Sequence, residues 1–238
     1  MPYRMLAVLL SMMIAGCATQ RSWVYKTNPY AAPSAARKQK VVVLPFQDAR
    51  KNENTNLIPL YLIPVFPFGW ANYEVPEGAT QHVTSGLWTN YKPTEDYPKA
   101  LADELRASGL FGETYFDFKE GDADLAARGT IVNTRYQGKI FSYGLSAYGP
   151  MLWFIGLPAA TASNELVVEL TLDDLKAGRR LLTKHYEAPK YGSTSWLYVM
   201  KNDFNYPDML ADIYRRFVDD IRREASIGVA GDVPVVPH

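Results

Sequence analysis

Cys17 is the residue whose type and position point most directly to covalent chemistry, and it is the only cysteine among 238 residues. It follows an apolar run from Met5 to Ile14, which begins just after Arg4 and ends in small residues. A basic start, an apolar middle and small residues at the cut are the order of a secretory signal peptide. The run is too short for a spanning helix, which needs roughly 20 residues. The thiol therefore lies where an exported chain is cut.

The stretch "IAGC", residues 14–17, resembles the lipobox of bacterial lipoproteins. In that family the cysteine becomes the new N-terminus and its sulfur carries a diacylglycerol. The resemblance implies a signal peptide over residues 1–16 and a lipid on Cys17, with this covalent lipid as the only cofactor. The alternative is a signal peptide cut at a nearby small residue, with Cys17 incidental.

Acylation would bind the mature chain to a membrane, because each buried methylene group contributes about 0.8 kcal/mol. Residue 18 is Ala, whereas an Asp there favours inner-membrane retention under the enterobacterial sorting rule. The chain thus resembles a lipid-anchored protein of the outer membrane that faces the periplasm. The lack of a second cysteine agrees with export, because an exported domain without another thiol has no intramolecular disulfide to form and none to mispair.

Other residue types that support catalysis lack the spacing that catalysis needs. The three histidines are far apart in sequence, and none has a second ligand at metal spacing: His82, His185 and His238. The stretch "GLSAYG" from Gly144 to Gly149 is one residue longer than a nucleophile elbow, and an apolar loop follows it. The sequence contains no glycine-rich phosphate loop. We therefore expect no enzyme and no metal site, with a hydrolase built from loops as the remaining alternative.

Several acidic residues have simpler interpretations than a binding site. Asp48, Arg50 and Glu53 follow the first predicted strand and favour a surface ion pair. Asp122, Asp124 and the pair Asp173–Asp174 are typical of solvated turns, because a calcium site needs more oxygen ligands at fixed spacing.

The charge balance argues against nucleic acid as a partner. Lys plus Arg number 25 and Asp plus Glu number 25, and loss of the signal peptide removes Arg4, which leaves a net charge of −1. Phosphate binding needs a concentrated positive surface. The apolar and aromatic content is that of one globular domain.

Hydrophobic patterns predict a mixed α/β (α+β) fold with helices packed on one mixed sheet. Residues 17–39 have no periodicity and predict a flexible tether after the lipidated cysteine. Val41 to Leu44 form a continuous apolar run, typical of a central strand buried on both faces. Residues 123–144 predict one long strand, bent near Gly129 or Gly138, and residues 165–188 predict a hairpin.

Two helices are predicted to pack on this sheet. The first spans roughly Glu95 to Ser108, with Asp96 as a candidate cap and Gly109 as a stop. The second spans Tyr206 to Ala225 and carries one apolar stripe: Tyr206, Met209, Leu210, Ile213, Phe217 and Ile221. The predicted domain is therefore 40–225, followed by a loose tail over 226–238.

The order of these segments resembles periplasmic domains of the TolB amino-terminal type, which also occur in CsgG-like, PelC-like and LpoB-like lipoproteins. The matching pieces lie roughly between Lys40 and Glu187: "VVVLPFQDAR", "ALADELRASGLFGETYFDF", "ADLAARGTIVNTRY" and "NELVVELTLDDLKAGRRLLTKHYEA". Those relatives bind other envelope proteins or assemble into rings, and the resemblance carries over no active-site residue. This chain departs from them by an insertion over 52–93 and by the loop after Tyr143.

Both departures are unusually apolar for loops, which are ordinarily polar. The candidate contact residues are Tyr61, Phe66, Phe68 and Trp70 in the first, and Met151, Leu152, Trp153, Phe154, Ile155 and Leu157 in the second. They could pack on each other as a small second core, contact other subunits or envelope proteins, or enter the lipid interface, where Trp153, Trp70 and Tyr148 suit the headgroup level. Neither stretch is long enough to span a bilayer as a helix.

The combined expectation is a non-enzymatic lipoprotein that acts as an accessory or assembly factor through protein–protein contacts. Its expected partners are the membrane, reached through the acylated N-terminus, and other envelope proteins or further copies of itself. A subunit of an oligomeric secretion or export structure is the alternative.

Overall fold

The computed structural model describes residues 23–31, 37–50, 55–56, 70–76, 91–145, 148–198 and 205–230. The strands are β1 (Arg37–Val43), β2 (Gln47–Asp48), β3 (Thr55–Asn56), β4 (Trp70–Pro76), β5 (Phe111–Phe116), β6 (Leu125–Asn133), β7 (Arg135–Phe141), β8 (Pro158–Asn164), β9 (Val167–Asp174), β10 (Arg179–Glu187) and β11 (Tyr191–Trp196). The helices are α1 (Pro93–Ser108), α2 (Pro150–Trp153) and α3 (Tyr206–Ala230). The predicted α/β class with a mixed sheet is confirmed, but the strands form two sheets where one was predicted.

The first sheet has the strand order β10-β9-β6-β1-β5, and β2 also pairs with β6. Strand β1 runs parallel to β5 and β6, whereas β9 is antiparallel to both β6 and β10. Val41, Val42 and Val43 are fully buried, because β1 is an inner strand with side chains packed on both faces. This confirms the central strand predicted from the continuous apolar run.

Helices α1 and α3 cover one face of this sheet, and their apolar side chains join Val41 and Val43 in the main core. The predicted stripe of α3 is buried along its whole length. Helix α1 begins at Pro93, earlier than predicted, and the Asp96 carboxylate accepts a hydrogen bond from the Lys92 N–H at 2.7 Å. Gly109 ends α1 with a φ of 64°, a conformation that a residue without a Cβ adopts freely.

Helix α3 continues to Ala230, past the predicted boundary at residue 225. Its last residues contain no proline, so the backbone hydrogen bonds can propagate beyond the end of the apolar stripe. The predicted loose tail is therefore wrong for residues 226–230, and residues 231–238 lie outside the described part of the chain.

The second sheet, which we call the arm, has the order β11-β8-β7-β4-β3. Three of its strands continue strands of the first sheet along the chain: β7 follows β6, β8 precedes β9, and β11 follows β10. The long strand predicted to bend at Gly129 or Gly138 instead breaks at Thr134, where the Tyr206 hydroxyl donates to the Thr134 carbonyl at 3.2 Å. A tertiary contact with α3, rather than a glycine, thus marks the start of the arm.

Residues 23–31, which we call the strap, pack against both long helices. The Tyr25 and Tyr30 hydroxyls donate to the Glu104 carboxylate on α1 at 2.7 and 2.5 Å. The Asn28 side chain donates to Glu104 at 2.5 Å and to the Ala211 carbonyl on α3 at 2.8 Å. The predicted flexible tether over 17–39 is therefore wrong for the strap, because a buried carboxylate supplies the partners that a free segment would find in water.

Candidate contact surface at the end of the arm

The surface with the clearest functional character is the connection between β7 and β8. We call it the tip, and it comprises residues 142–157 apart from 146 and 147, which lie outside the described residues. It contains the single helical turn α2. Successive backbone N–H groups donate within it, including Leu152 to Gly149 at 2.9 Å and Gly156 to Trp153 at 3.1 Å. The tip therefore has an internal backbone framework of its own.

Side chains hold the tip against the end of the arm, where β7 ends and β8 begins. The Trp153 indole N–H donates to the Phe141 carbonyl at 3.0 Å, and the Tyr143 hydroxyl donates to the Pro158 carbonyl at 2.6 Å. Gly149 packs so closely on Ser142 that an added Cβ would lie 2.5 Å from the Ser142 Cα. These contacts give the tip one defined shape, in contrast to a loosely attached loop.

The outward side chains of the tip are apolar. Ile155 is 75% exposed, Met151 65% and Phe154 55%, and further exposed side chains beside them are Tyr143, Leu145, Tyr148 and Leu157. No charged residue lies between Lys139 and Glu165. A contiguous exposed apolar surface of this kind marks a site of contact with a partner or a membrane.

The structure divides the residues predicted from the sequence. Met151, Phe154, Ile155 and Leu157 are exposed, whereas Leu152 and Trp153 are half-buried and attach the tip to the arm. Tyr61, Phe66 and Phe68 lie outside the described residues. Trp70 begins β4, and its backbone pairs with that of Phe141 at the base of the tip.

One part of this surface was not predicted from the sequence. Tyr198 lies beyond β11, is largely exposed, and donates its hydroxyl to the Phe154 carbonyl at 3.2 Å. The run "WLYVM" at residues 196–200 is apolar and uncharged. That run was the available signal, but only the pairing of β11 with β8 brings Tyr198 beside the tip.

The predicted polar groups form structural pairs. The Arg50 guanidinium binds Asp48 at 2.8 and 2.6 Å and donates to the Thr134 hydroxyl at 2.7 Å. Its side chain is only 5% exposed, so the expected surface ion pair is instead mostly enclosed on the arginine side and lies at the start of the arm. The Arg50 hydrogen bond lowers the pKa of Asp48. Glu53 lies outside the described residues.

The remaining predicted acids are also paired. Asp122 binds Lys40 at 2.8 Å, and Asp124 accepts the Lys40 backbone N–H at 2.8 Å. Asp174 accepts backbone N–H groups of the turn that follows β9, at 3.0 and 2.9 Å. The His185 imidazole lies 2.7 Å from Glu169 on the neighbouring strand.

Two further features bear on possible sites. A shallow depression at the end of the first sheet opposite the arm is lined by Lys38, Gln39, Asp124, Asp174, Lys176 and Ala177, and the pairing of Lys176 with Asp124 neutralises part of its charge. Within the described ranges, no group of three or more His, Cys, Asp or Glu side chains could hold a metal ion. None of the helices described in the structure is long and apolar enough to cross a membrane.

Comparisons with known proteins give weak similarities. No family model and no curated protein matches the chain. Among solved structures, protein XCC0632 from Xanthomonas campestris, of family DUF330, is 10% identical with a TM-score of 0.47, over 88% of this chain and 99% of that one. The PelC dodecamer from Paraburkholderia phytofirmans is 13% identical with a TM-score of 0.36, over 79% and 92%.

The hypothetical protein CT253 from Chlamydia trachomatis is 10% identical with a TM-score of 0.36, over 77% of this chain and 95% of that one. PelC is among the proteins that the sequence resemblance named, and the finer TolB-type and CsgG-like assignment stays a prediction. At these identities and scores, function has to be argued from the chain's own residues.

Proposed function

We propose that this protein is a lipid-anchored, periplasm-facing protein of the outer membrane that acts by contact rather than by catalysis. The observation that carries the proposal is the tip, where exposed apolar side chains without a charge are held in one shape by Trp153, Tyr143 and Gly149. A rigid apolar surface loses little conformational freedom when it binds, so the arrangement favours recognition.

The anchor in this proposal is Cys17, because it follows an apolar signal and resembles a lipobox cysteine. The protein would serve as an accessory or assembly factor, holding other envelope proteins close to the membrane surface.

A second candidate function is that of a subunit in an oligomeric export structure. Among the described strands, β10 and β11 form one outer edge of the two sheets and β5 forms the other edge of the first sheet. An outer strand carries backbone groups that can pair with a second copy. Light scattering of the mature protein in mild detergent would show a discrete oligomer if this second function is correct, and a monomer would remove it for the isolated protein.

The main proposal is tested by the chemistry of the mature N-terminus. Mass spectrometry of the protein from bacterial membranes should find an N-terminal Cys17 that carries a diacylglycerol thioether. Cys17→Ser should lack the lipid and leave the membrane fraction. An exported protein whose N-terminus is another, unmodified residue would contradict the proposal.

A further inference from the structure

The strap shows where the N-terminal chain leaves the domain. Tyr30 lies under the Arg222 guanidinium, 5.2 Å from ring centroid to Arg222 carbon, towards the C-terminal half of α3. Trp23 packs against the other end of the helix pair, with its ring centroid 5.5 Å from that of Tyr97 and 5.6 Å from that of Tyr91. Towards its N-terminal side, the strap therefore runs to the beginning of α1.

The beginning of α1 and the arm lie at the same end of the first sheet. The Phe46 N–H, just after β1, donates to the Thr94 carbonyl in the first turn of α1 at 3.1 Å. Strand β6 is parallel to β1, so its last residue lies at that end too, and it leads through Thr134 into β7 of the arm. The chain that connects the strap to Cys17 thus starts beside the base of the arm.

The chain from Cys17 to Trp23 and the arm both start there, and their lengths are nearly equal. The chain from Cys17 to Trp23, about six residues, spans at most about 22 Å whatever its conformation. Strand β7 has 7 residues, which at about 3.3 Å per residue gives an arm of about 23 Å. An anchor on Cys17 can therefore reach the level of the tip, but it cannot let the domain move far from the surface in which the lipid is embedded.

We propose that the tip docks on the lipid bilayer that holds the Cys17 lipid, with its apolar side chains in the interfacial layer. The inference rests on the proposed function, since it takes Cys17 to be acylated. The chemistry of the surface agrees with a lipid occupant: Ile155, Met151 and Phe154 are exposed, and the largely exposed Tyr148 beside them has an amphipathic ring that suits the headgroup level. The absence of charge from Ile140 to Asn164 leaves no desolvation cost for ionised groups.

The single cysteine makes the test direct. In the acylated protein the Cys17 sulfur is blocked, so Ile155→Cys supplies one reactive thiol for an environment-sensitive fluorophore. Ala177→Cys is the matched control, because it is exposed in the turn between β9 and β10, at the end of the first sheet opposite the arm. Met151→Cys serves as a second tip position.

The labelled full-length lipoprotein is placed in vesicles of phosphatidylethanolamine and phosphatidylglycerol, at about one protein per vesicle. Labels at 155 and 151 should emit at shorter wavelength than the label at 177 and be several-fold brighter, and they should be quenched by lipids with a nitroxide near the headgroup. The label at 177 should stay unquenched. Tip labels that remain in water, or that change only when the protein is crowded on the vesicle, would overturn the inference and, in the second case, assign the tip to a protein partner.

The two proposals fail in different ways. Mass spectrometry of the same sample reports whether Cys17 is acylated, independently of the labels. An unmodified Cys17 would overturn the proposed function, whereas an acylated protein whose tip labels stay in water would overturn only the docking of the tip.

Discussion

Replacement of Glu104 by Gln should release the strap from the helices. The Glu104 side chain is fully buried, and its two oxygens accept every hydrogen bond that it makes to the strap. One oxygen accepts from the Tyr25 hydroxyl and the Asn28 backbone N–H at 2.7 and 3.2 Å, and the other accepts from Asn28 and Tyr30 at 2.5 Å each. Burial, and then the bond to Glu104, raises the pKa of Tyr25, so this hydroxyl stays protonated and donates.

The magnitude follows from counting the bonds that Gln cannot keep. An amide offers one oxygen and places an NH2 donor where the second oxygen accepted two hydrogen bonds. A hydrogen bond to a charged group contributes about 1.5 kcal/mol at the lower end of its range. Loss of two such bonds weakens strap docking by about 3 kcal/mol, which is a factor of roughly 150 in the docking equilibrium.

Trypsin cleavage after Lys26 measures this equilibrium. Lys26 lies on the strap with an exposed side chain, but cleavage needs the backbone to leave the helices, so its rate follows the undocked fraction when opening is fast. Glu104→Gln should raise the rate by about two orders of magnitude. The control is Asp103→Asn, one residue away in an exposed pair with Arg106 at 2.6 Å, which should leave the rate unchanged. A Glu104→Gln rate within about threefold of wild type would refute the network as the force that holds the strap.

Two further predictions concern α3 and the tip. Burial raises the pKa of Asp220, but hydrogen bonds from partners such as the Tyr186 hydroxyl, at 2.7 Å, outweigh it and hold the pKa below its usual value. The carboxylate therefore stabilises the fold at pH values above its unfolded pKa of about 3.9, and this stabilisation is lost as pH falls through the lower folded pKa. Asp220→Asn should lower the urea midpoint of unfolding at pH 7, and lower it progressively less at more acidic pH. An equal loss at all pH values would contradict this. Gly149→Ala should lower the free energy of unfolding by about 1–3 kcal/mol, because the added Cβ would meet the Ser142 backbone. Gly192→Ala is the control: its Cβ would lie 3.9 Å from the Ala162 carbonyl oxygen, and the same urea titration should show no change.

The core could be predicted because local pattern and tertiary environment agree there. The continuous valines of β1 indicate burial on both faces, and the sheet supplies it with neighbours on both sides and a helical layer. The α3 stripe is equally direct, since its spacing of three and four places Met209, Ile213 and Phe217 on one face. In both cases the side chains that form the element also form the core.

The strap and the break at Thr134 could not be predicted, because each depends on a residue distant in sequence. The strap needs Glu104, 76 positions after Asn28, and the break is marked by Tyr206, 72 positions after Thr134. The aromatic residues Trp23, Tyr25 and Tyr30 were a signal against a free tether, because a flexible linker would leave three large rings exposed to water. For the tip, apolarity was visible in the sequence, but the exposed fraction of each side chain was not.

The strap sets how far the domain can move from its lipid, and the docking of the tip depends on that distance. The first prediction therefore also bears on the docking of the tip. With the strap docked, the domain is tied to its lipid by about six residues, at most about 22 Å. If Glu104→Gln frees the strap as far as Ala31, the connection grows to about fourteen residues and about 50 Å. A longer connection lowers the effective concentration of the tip at the bilayer. In Glu104→Gln proteoliposomes, the label at position 155 should therefore lose part of its protection from water, whereas Asp103→Asn should keep it. Full protection in Glu104→Gln, in a sample where trypsin shows the strap released, would mean that the tip holds to the bilayer without help from the strap.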